Sequence, residues 1–466
     1  MENSKVTELI KSFNQHEVKA FTAYISSAYF NSDKRLRNTF DRILGFNNEK
    51  KAWSRKDLHK ELFPQKKFSD QKIRYLLTDL CRHIEYFLSL RLLDANKLIY
   101  RNICARALSM RDCEKAYDFM HDSILSSQHY RNAAFYFHLY DSAENHLNYS
   151  GKKQSRKLKF DYSETLTNIE IFYLAKKLQL FCEVINLKNV LTGEYELHLL
   201  DEIKNLSAKL PFSEIPVIQI YYHILLTLTE PGKEKHLEQL EALLKNHANL
   251  FPPPELSDMY QYVKNYCVKK INQGDAAYQR RLFEIYKTML ANRPLMYHDY
   301  LSQFEFKNIV SISLRLDEKV WCKSFISKYI NYLKPEERKN ALIYNSAYLN
   351  FISGDFKGAI RKLREVEFTD VVYQLDARVI LLKSYYELDD IETFFYHASA
   401  FRLFLLRNRR ISEYQKTINR NLIKFLTKIV RAGTRQSKLL KVKKEISAEK
   451  NVADLKWLEE KVEILM

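Results

Sequence analysis

Ala341-Leu342-Ile343-Tyr344-Asn345-Ser346-Ala347-Tyr348-Leu349-Asn350-Phe351-Ile352-Ser353-Gly354-Asp355-Phe356-Lys357-Gly358-Ala359-Ile360-Arg361-Lys362-Leu363 reads as two helices joined by a tight turn. The first covers about 338–352 and the second about 356–366. Ala347 and Ala359 are small enough to let two antiparallel helices approach closely, and Phe356 fills the space beside them. Gly354 suits the left-handed conformation that commonly ends a helix. Turns of similar composition recur about one hairpin length earlier, at Leu316-Asp317 before Trp321, and later, at Leu388-Asp389-Asp390-Ile391. Gly274-Asp275-Ala276 is a more degenerate version.

Ala341, Ala347, the Gly354-Asp355-Phe356 turn, Ala359 and Leu363, with Pro335 before them, together resemble the tetratricopeptide repeat. The resemblance covers about 300–410 and implies an α-solenoid that binds through its surface. Leu382 and Phe394 stand at small-residue sites of the last repeat, and Ser324 stands where Ala is usual. In general style, and at Ser27-Ala28-Tyr29-Phe30-Asn31, the chain also resembles uncharacterised aromatic-rich helical proteins of Bacteroidota-type bacteria. That likeness implies no activity.

Composition extends the helical reading to the whole chain. Only 8 Gly and 9 Pro occur in 466 residues, too few for the tight turns of an all-β fold. With 46% hydrophobic residues the chain can bury a core. The expected fold class is therefore all-α: a small helical N-terminal unit over 1–98, then a degenerate hairpin solenoid over 99–251. A tetratricopeptide-like solenoid over 255–436 and basic amphipathic helices over 437–466 complete it. In the first unit Asn14, Ser54 and Ser69 are placed to start helices. Gly45 and Pro64 are placed to end them. Pro252-Pro253-Pro254 reads as an extended break, and a helix is expected over 297–314. Gly151, Gly193, Gly232, Gly274, Gly354 and Gly433 lie near multiples of forty residues apart, as helix-hairpin repeats would space them.

Motifs for chemistry are sparse. The chain has no Gly-rich phosphate loop, no HExxH and no Gly-x-Ser-x-Gly elbow. Glu114, Asp118, His121 and Asp122 share helical spacing and could offer metal ligands, though a solvated polar face explains them more simply. Cys113 stands between two acids that oppose its ionisation. The six cysteines lack a CxxC pair and read as reduced core residues. His83 and His223 read as core histidines with hydrogen-bond partners. Most tyrosines, such as Tyr260, Tyr262, Tyr266, Tyr385 and Tyr386, read as inter-helix packing, with groove contacts the alternative. No enzyme activity and no cofactor are expected.

Membrane and export signals are equally sparse. The start, Met1-Glu2-Asn3-Ser4-Lys5, is polar and suggests no secretion signal. Ile215 to Leu228 is the most apolar stretch, but Pro216, Gln219 and His223 make it too polar and too short to span a bilayer. A cytoplasmic protein is expected.

Charge is the strongest functional signal. The formal net charge of +18 is concentrated at the two ends. Residues 402–444 contain 14 Lys/Arg against one acid, Glu413. Arg409, Arg410, Lys416, Arg420, Lys424, Lys428, Arg431 and Arg435 form a candidate ladder for an anionic partner, beside an apolar seam of Ile411, Tyr414, Ile418, Leu422, Phe425 and Ile429. Such a ladder suits an acidic protein or peptide, nucleic acid or an anionic membrane, or it is simply solvated. Lys66, Lys67, Lys72 and Arg74 surround a helix-turn-helix-like entrance, a second route to DNA. The expected function is a non-enzymatic protein- or peptide-binding scaffold, with a nucleic-acid-associated protein as the alternative. A small-molecule substrate is not expected.

Overall fold

The structure is a computed structural model that describes residues 4–49, 52–126, 130–152, 162–188, 195–273, 275–291, 295–297, 300–364, 370–449 and 451–466. Among these residues it is almost wholly helical, with 23 α-helices and one two-stranded hairpin. The chain divides into two compact units, Met1–Tyr173 and Leu174–Met466.

In the first unit, polar side chains start the helices by accepting otherwise orphaned backbone N–H groups. After α1 (Lys5–Lys11), Asn14 and Glu17 form a reciprocal capping box that opens α2 (Gln15–Ser26). Asp33 caps α3 (Lys34–Asn48), and Ser54 with Asp57 caps α4 (Arg55–Leu62). Ser69 opens α5 (Asp70–Ala95), whose Ile73, Leu76, Leu77, Leu80, Ile84 and Phe87 are buried as their spacing predicts. Gly45 does not end α3 as expected; the helix runs on to Asn48. The next residue, Phe46, is buried and stacks on Trp53 with centroids 5.8 Å apart. Burying that ring outweighs the ~1 kcal/mol helix penalty of one glycine. Phe21 lies at the centre of this core, with Phe13, Phe40 and Phe87 within 5.6 Å. Next come α6 (Lys97–Ser109), α7 (Glu114–Leu125) and α8 (Ala133–Lys152), which pack against one another. α9 (Ser163–Lys188) spans the division.

The second unit continues with α10 (Leu200–Ser207), α11 (Pro216–Thr229), α12 (Lys235–His247), α13 (Pro253–Asn272) and α14 (Ala277–Ala291). The proline run opens α13 and is no extended break: Pro253 and Pro254 occupy its first turn, where no N–H partner is needed. The expected helix start at 297 is instead a hairpin of β1 (Met296–Tyr297) and β2 (Tyr300–Leu301). Ser302 then accepts the N–H of Phe304 and starts α15 (Gln303–Arg315). The series proceeds through α16 (Lys319–Tyr329), α17 (Pro335–Ile352), α18 (Phe356–Arg364), α19 (Val371–Glu387) and α20 (Ile391–Arg407). It closes with α21 (Glu413–Ala432), α22 (Gln436–Ala448) and α23 (Leu455–Leu465). Successive helices pack in pairs, and α11 with α13, α15 with α17, α17 with α19 and α21 with α23 also touch.

One turn geometry recurs along this unit. The N–H groups of Asp275, Glu318, Asp355 and Asp390 each donate to the carbonyl five residues back, at 3.1, 2.9, 2.9 and 3.1 Å. The residue before the donor is left-handed at Asp317, Gly354 and Asp389, with φ of 59°, 83° and 54°. This is the Schellman arrangement, which satisfies the free carbonyls of a helix end. Aspartate enters this conformation more readily than most residues, so it can stand where Gly354 stands. The glycine spacing therefore tracks the turns only partly. Gly151 lies within α8, and Gly232 lies in a turn without left-handed geometry. Gly193 and Gly274 lie outside the described residues.

Ala347 and Ala359 are fully buried between α17 and α18, with Tyr344, Phe351, Leu363 and Tyr373 around them. Phe356 packs against this cluster, its ring 5.5 Å from that of Phe351. A Cβ on Gly354 would meet nothing within 4 Å, so substitution there tests the backbone alone. Gly354→Val should cost about 1–3 kcal/mol in urea unfolding, and Gly354→Asn well under half of that. Ala347→Phe should also cost about 1–3 kcal/mol by overpacking. Equal stability of all three variants with the parent would refute this account of the hairpin.

Candidate functional site

A cleft of about 490 Å³ opens within the second unit. Its walls follow helical periodicity. α15 contributes Lys307, Asn308, Ser311, Ile312 and Arg315; α17 contributes Tyr344, Tyr348 and Phe351; α19 contributes Asp376, Val379, Ile380 and Lys383. On each helix these positions fall at steps of one, three or four residues, so one face of each of the three helices meets a common space. Val268, Ile271, Leu282 and Tyr286 also line it, as does Asp454, just before α23.

Charge in the cleft is paired but unequal. Lys307 bonds Asp376 and lies 5.7 Å from the ring centres of both Tyr344 and Tyr373. Lys383, only 8% exposed, donates to Asp454 at 2.9 Å and lies 4.4 Å from the Trp457 ring. Burial pushes the Asp376 carboxyl up, and Lys307 opposes the shift. Burial also raises the Tyr344 and Tyr348 hydroxyls. Arg315 is exposed on the wall and has no carboxylate in ion-pairing range among the described residues. Three cations thus face two acids. A concave, aromatic-lined space with one unneutralised guanidinium is suited to an anionic group on an otherwise apolar or polar segment. The sequence reading did not find this cleft. Its signal, cations and acids at matching positions of alternate helices, spreads over 307–454.

The expected basic ladder divides in the structure. A step of four residues turns about 40° past one helical turn, so cations at that spacing drift around the helix. Lys416 falls at the edge of the buried side, 9% exposed, and pairs with Glu413 at 2.7 Å. Lys428 falls at the other edge and pairs with Glu445. Arg420, Lys424, Arg431 and Arg435 remain on the outer side, and Arg409 and Arg410 are exposed in the turn before α21. The seam is buried at Ile411, Leu422, Phe425 and Ile429, while Tyr414 is exposed.

At the helix-turn-helix-like entrance, Lys66, Lys67 and Lys72 are exposed. Arg74 is held by Asp70 at 2.7 Å, which also binds Arg55 at 3.0 Å. The acidic set on α7 does not converge: His121 is buried and bonds Ser142 at 3.1 Å, whereas Glu114, Asp118 and Asp122 face outward. Cys182, Cys267 and Cys322 are buried, but Cys113 is exposed, contrary to the core expectation. Tyr260, Tyr266 and Tyr385 are buried as packing residues, with Tyr262 and Tyr386 partly so. His83 bonds Tyr24 at 3.2 Å.

Neither a scan of protein-family models nor searches of curated proteins and solved structures finds a match to this chain.

His223 departs from the expected pattern, because its Nδ1 has no hydrogen-bond partner among the described residues. Burial, with His236 nearby, lowers its pKa to about 4. The folded state therefore binds this proton less well than the unfolded chain, whose histidine titrates near 6.5. Stability from this site is complete above about pH 6.5 and is lost as pH falls toward 4. At pH 5 the loss is about 2 kcal/mol. His223→Leu should remove that component, which urea unfolding at pH 7.5 and pH 5 would detect. An identical pH dependence in the variant would contradict this assignment.

Proposed function

We propose that the second unit is an α-solenoid of tetratricopeptide-like hairpins, and that the protein is a non-enzymatic cytoplasmic scaffold. Its cleft takes an extended or helical segment of a partner protein, with an acidic side chain directed at Arg315. The observation carrying this reading is that α15, α17 and α19 each turn one periodic face to the same cleft. The recurring five-residue backbone bond at 318, 355 and 390 supports the repeat assignment, since stacked hairpins of one geometry build continuous binding surfaces. Tyr348, half-buried on the wall, supplies contact area, with the buried Tyr344 and Phe351 behind it and the paired lysines beside it.

Fluorescence anisotropy against an array of labelled peptides, matched in hydropathy but differing in Asp/Glu content, tests the reading. Acidic peptides should bind preferentially. Arg315→Glu, at an exposed position that leaves packing intact, should weaken them by about tenfold or more. Binding that is indifferent to peptide charge and to Arg315→Glu would remove the cleft from the function.

A further inference from the structure

α20 is apolar on two opposite sides. Phe394, Ala398, Phe401 and Leu405 are buried on the inner side. Tyr396, Leu403 and Leu406 lie on the outer side at 78%, 49% and 68% exposure. A helix apolar on both sides ordinarily lies between two apolar surroundings, and here nothing among the described residues covers the second. Ala400, Leu403, Phe404, Arg407 and Asn408 line a shallow hollow of about 420 Å³ there.

Toward the C-terminal end of α20 the surroundings of this apolar strip are cationic, while the exposed Glu392 stands on the same side one turn before Tyr396. Arg407 shares its side of the helix by periodicity, and Arg409 and Arg410 are exposed in the turn that follows. Arg402 bonds Thr427 at 3.1 Å, and Arg431 lies over Phe395 at 5.6 Å. These contacts hold α21, with its exposed Arg420 and Lys424, alongside α20. Between 402 and 444 the only acid is Glu413, already paired with Lys416.

We propose that the outer face of α20 is a peripheral docking surface for an anionic lipid bilayer. Leu403 and Leu406 would enter the boundary between headgroups and acyl chains, with Tyr396 at the same level. Arg407, Arg409 and Arg410 would reach lipid phosphates while their aliphatic stems stay against apolar surface. The leucines decide between lipid and nucleic acid. A polyanion's phosphates are satisfied by the cations alone, and exposed leucines contribute nothing to them. At a bilayer the same leucines supply the apolar transfer that a purely electrostatic contact lacks. The proposal is independent of the cleft, which lies on other helices.

The test is co-sedimentation of the full chain with phosphatidylcholine vesicles, with and without phosphatidylserine, alongside filter retention of an RNA oligonucleotide. Binding to the phosphatidylserine vesicles should exceed binding to neutral ones by about tenfold or more and fall with salt. The Leu403→Ser/Leu406→Ser double variant, checked for unchanged melting, should lose about tenfold in vesicle binding. The Arg407→Gln/Arg410→Gln variant should lose the dependence on phosphatidylserine. The proposal is overturned if vesicles are not bound, or if the serine variant binds them as the parent does. It is equally overturned if only RNA is retained.

Discussion

Much of the second unit depends on one backbone hydrogen bond: an N–H donating to the carbonyl five residues earlier, across a left-handed residue. It ends one helix, reverses the chain and starts the next in a fixed direction. It recurs at 318, 355 and 390, and the same five-residue bond is made by Asp275. The small side chains Ala347 and Ala359 then let α17 and α18 close on each other, and Tyr344 and Tyr373 fill the remaining volume. α15, α17 and α19, which these turns follow, bring Lys307, Tyr348 and Lys383 to one cleft.

The all-helical architecture was legible because its signals are local. Asn14, Ser54 and Ser69 start helices through their own side chains, and α5 shows its buried face at plain three- and four-residue intervals. Gly354 was readable as a left-handed turn for the same reason. Failures occurred where a distant contact overruled a local preference. Gly45 would end a helix in isolation, but Phe46 has Trp53 to stack on. Three consecutive prolines suggest an extended break, yet two of them are well suited to the first turn of α13. The turns at Asp317 and Asp389 were legible from their likeness to the Gly354 turn, whereas Asp112, which adopts the same left-handed conformation, carried no glycine to mark it.

The candidate sites show the same divide. The excess of positive charge over 402–444 was visible in composition, but its distribution around α21 was not. Periodicity places Lys416 and Lys428 at the two margins of the outer face, where Glu413 and Glu445 neutralise them. The cleft lay beyond local reading, because its charged pairs join residues some seventy positions apart, Lys307 with Asp376 and Lys383 with Asp454. Lys383 is accommodated at a nearly buried position because Asp454 and the Trp457 ring replace the water it gave up.

The cleft also depends on the end of the chain. Asp454 precedes α23, which is held to α19 by the Lys461–Glu387 pair at 2.6 Å and by Trp457 against Tyr386. Any molecule that occupies the cleft near Lys383 must either tolerate that acid or displace it. For the acidic occupant proposed above, binding near Lys383 and the docking of α23 would be thermodynamically linked, each altering the other by the same factor, with Asp454 an internal competitor for the lysine.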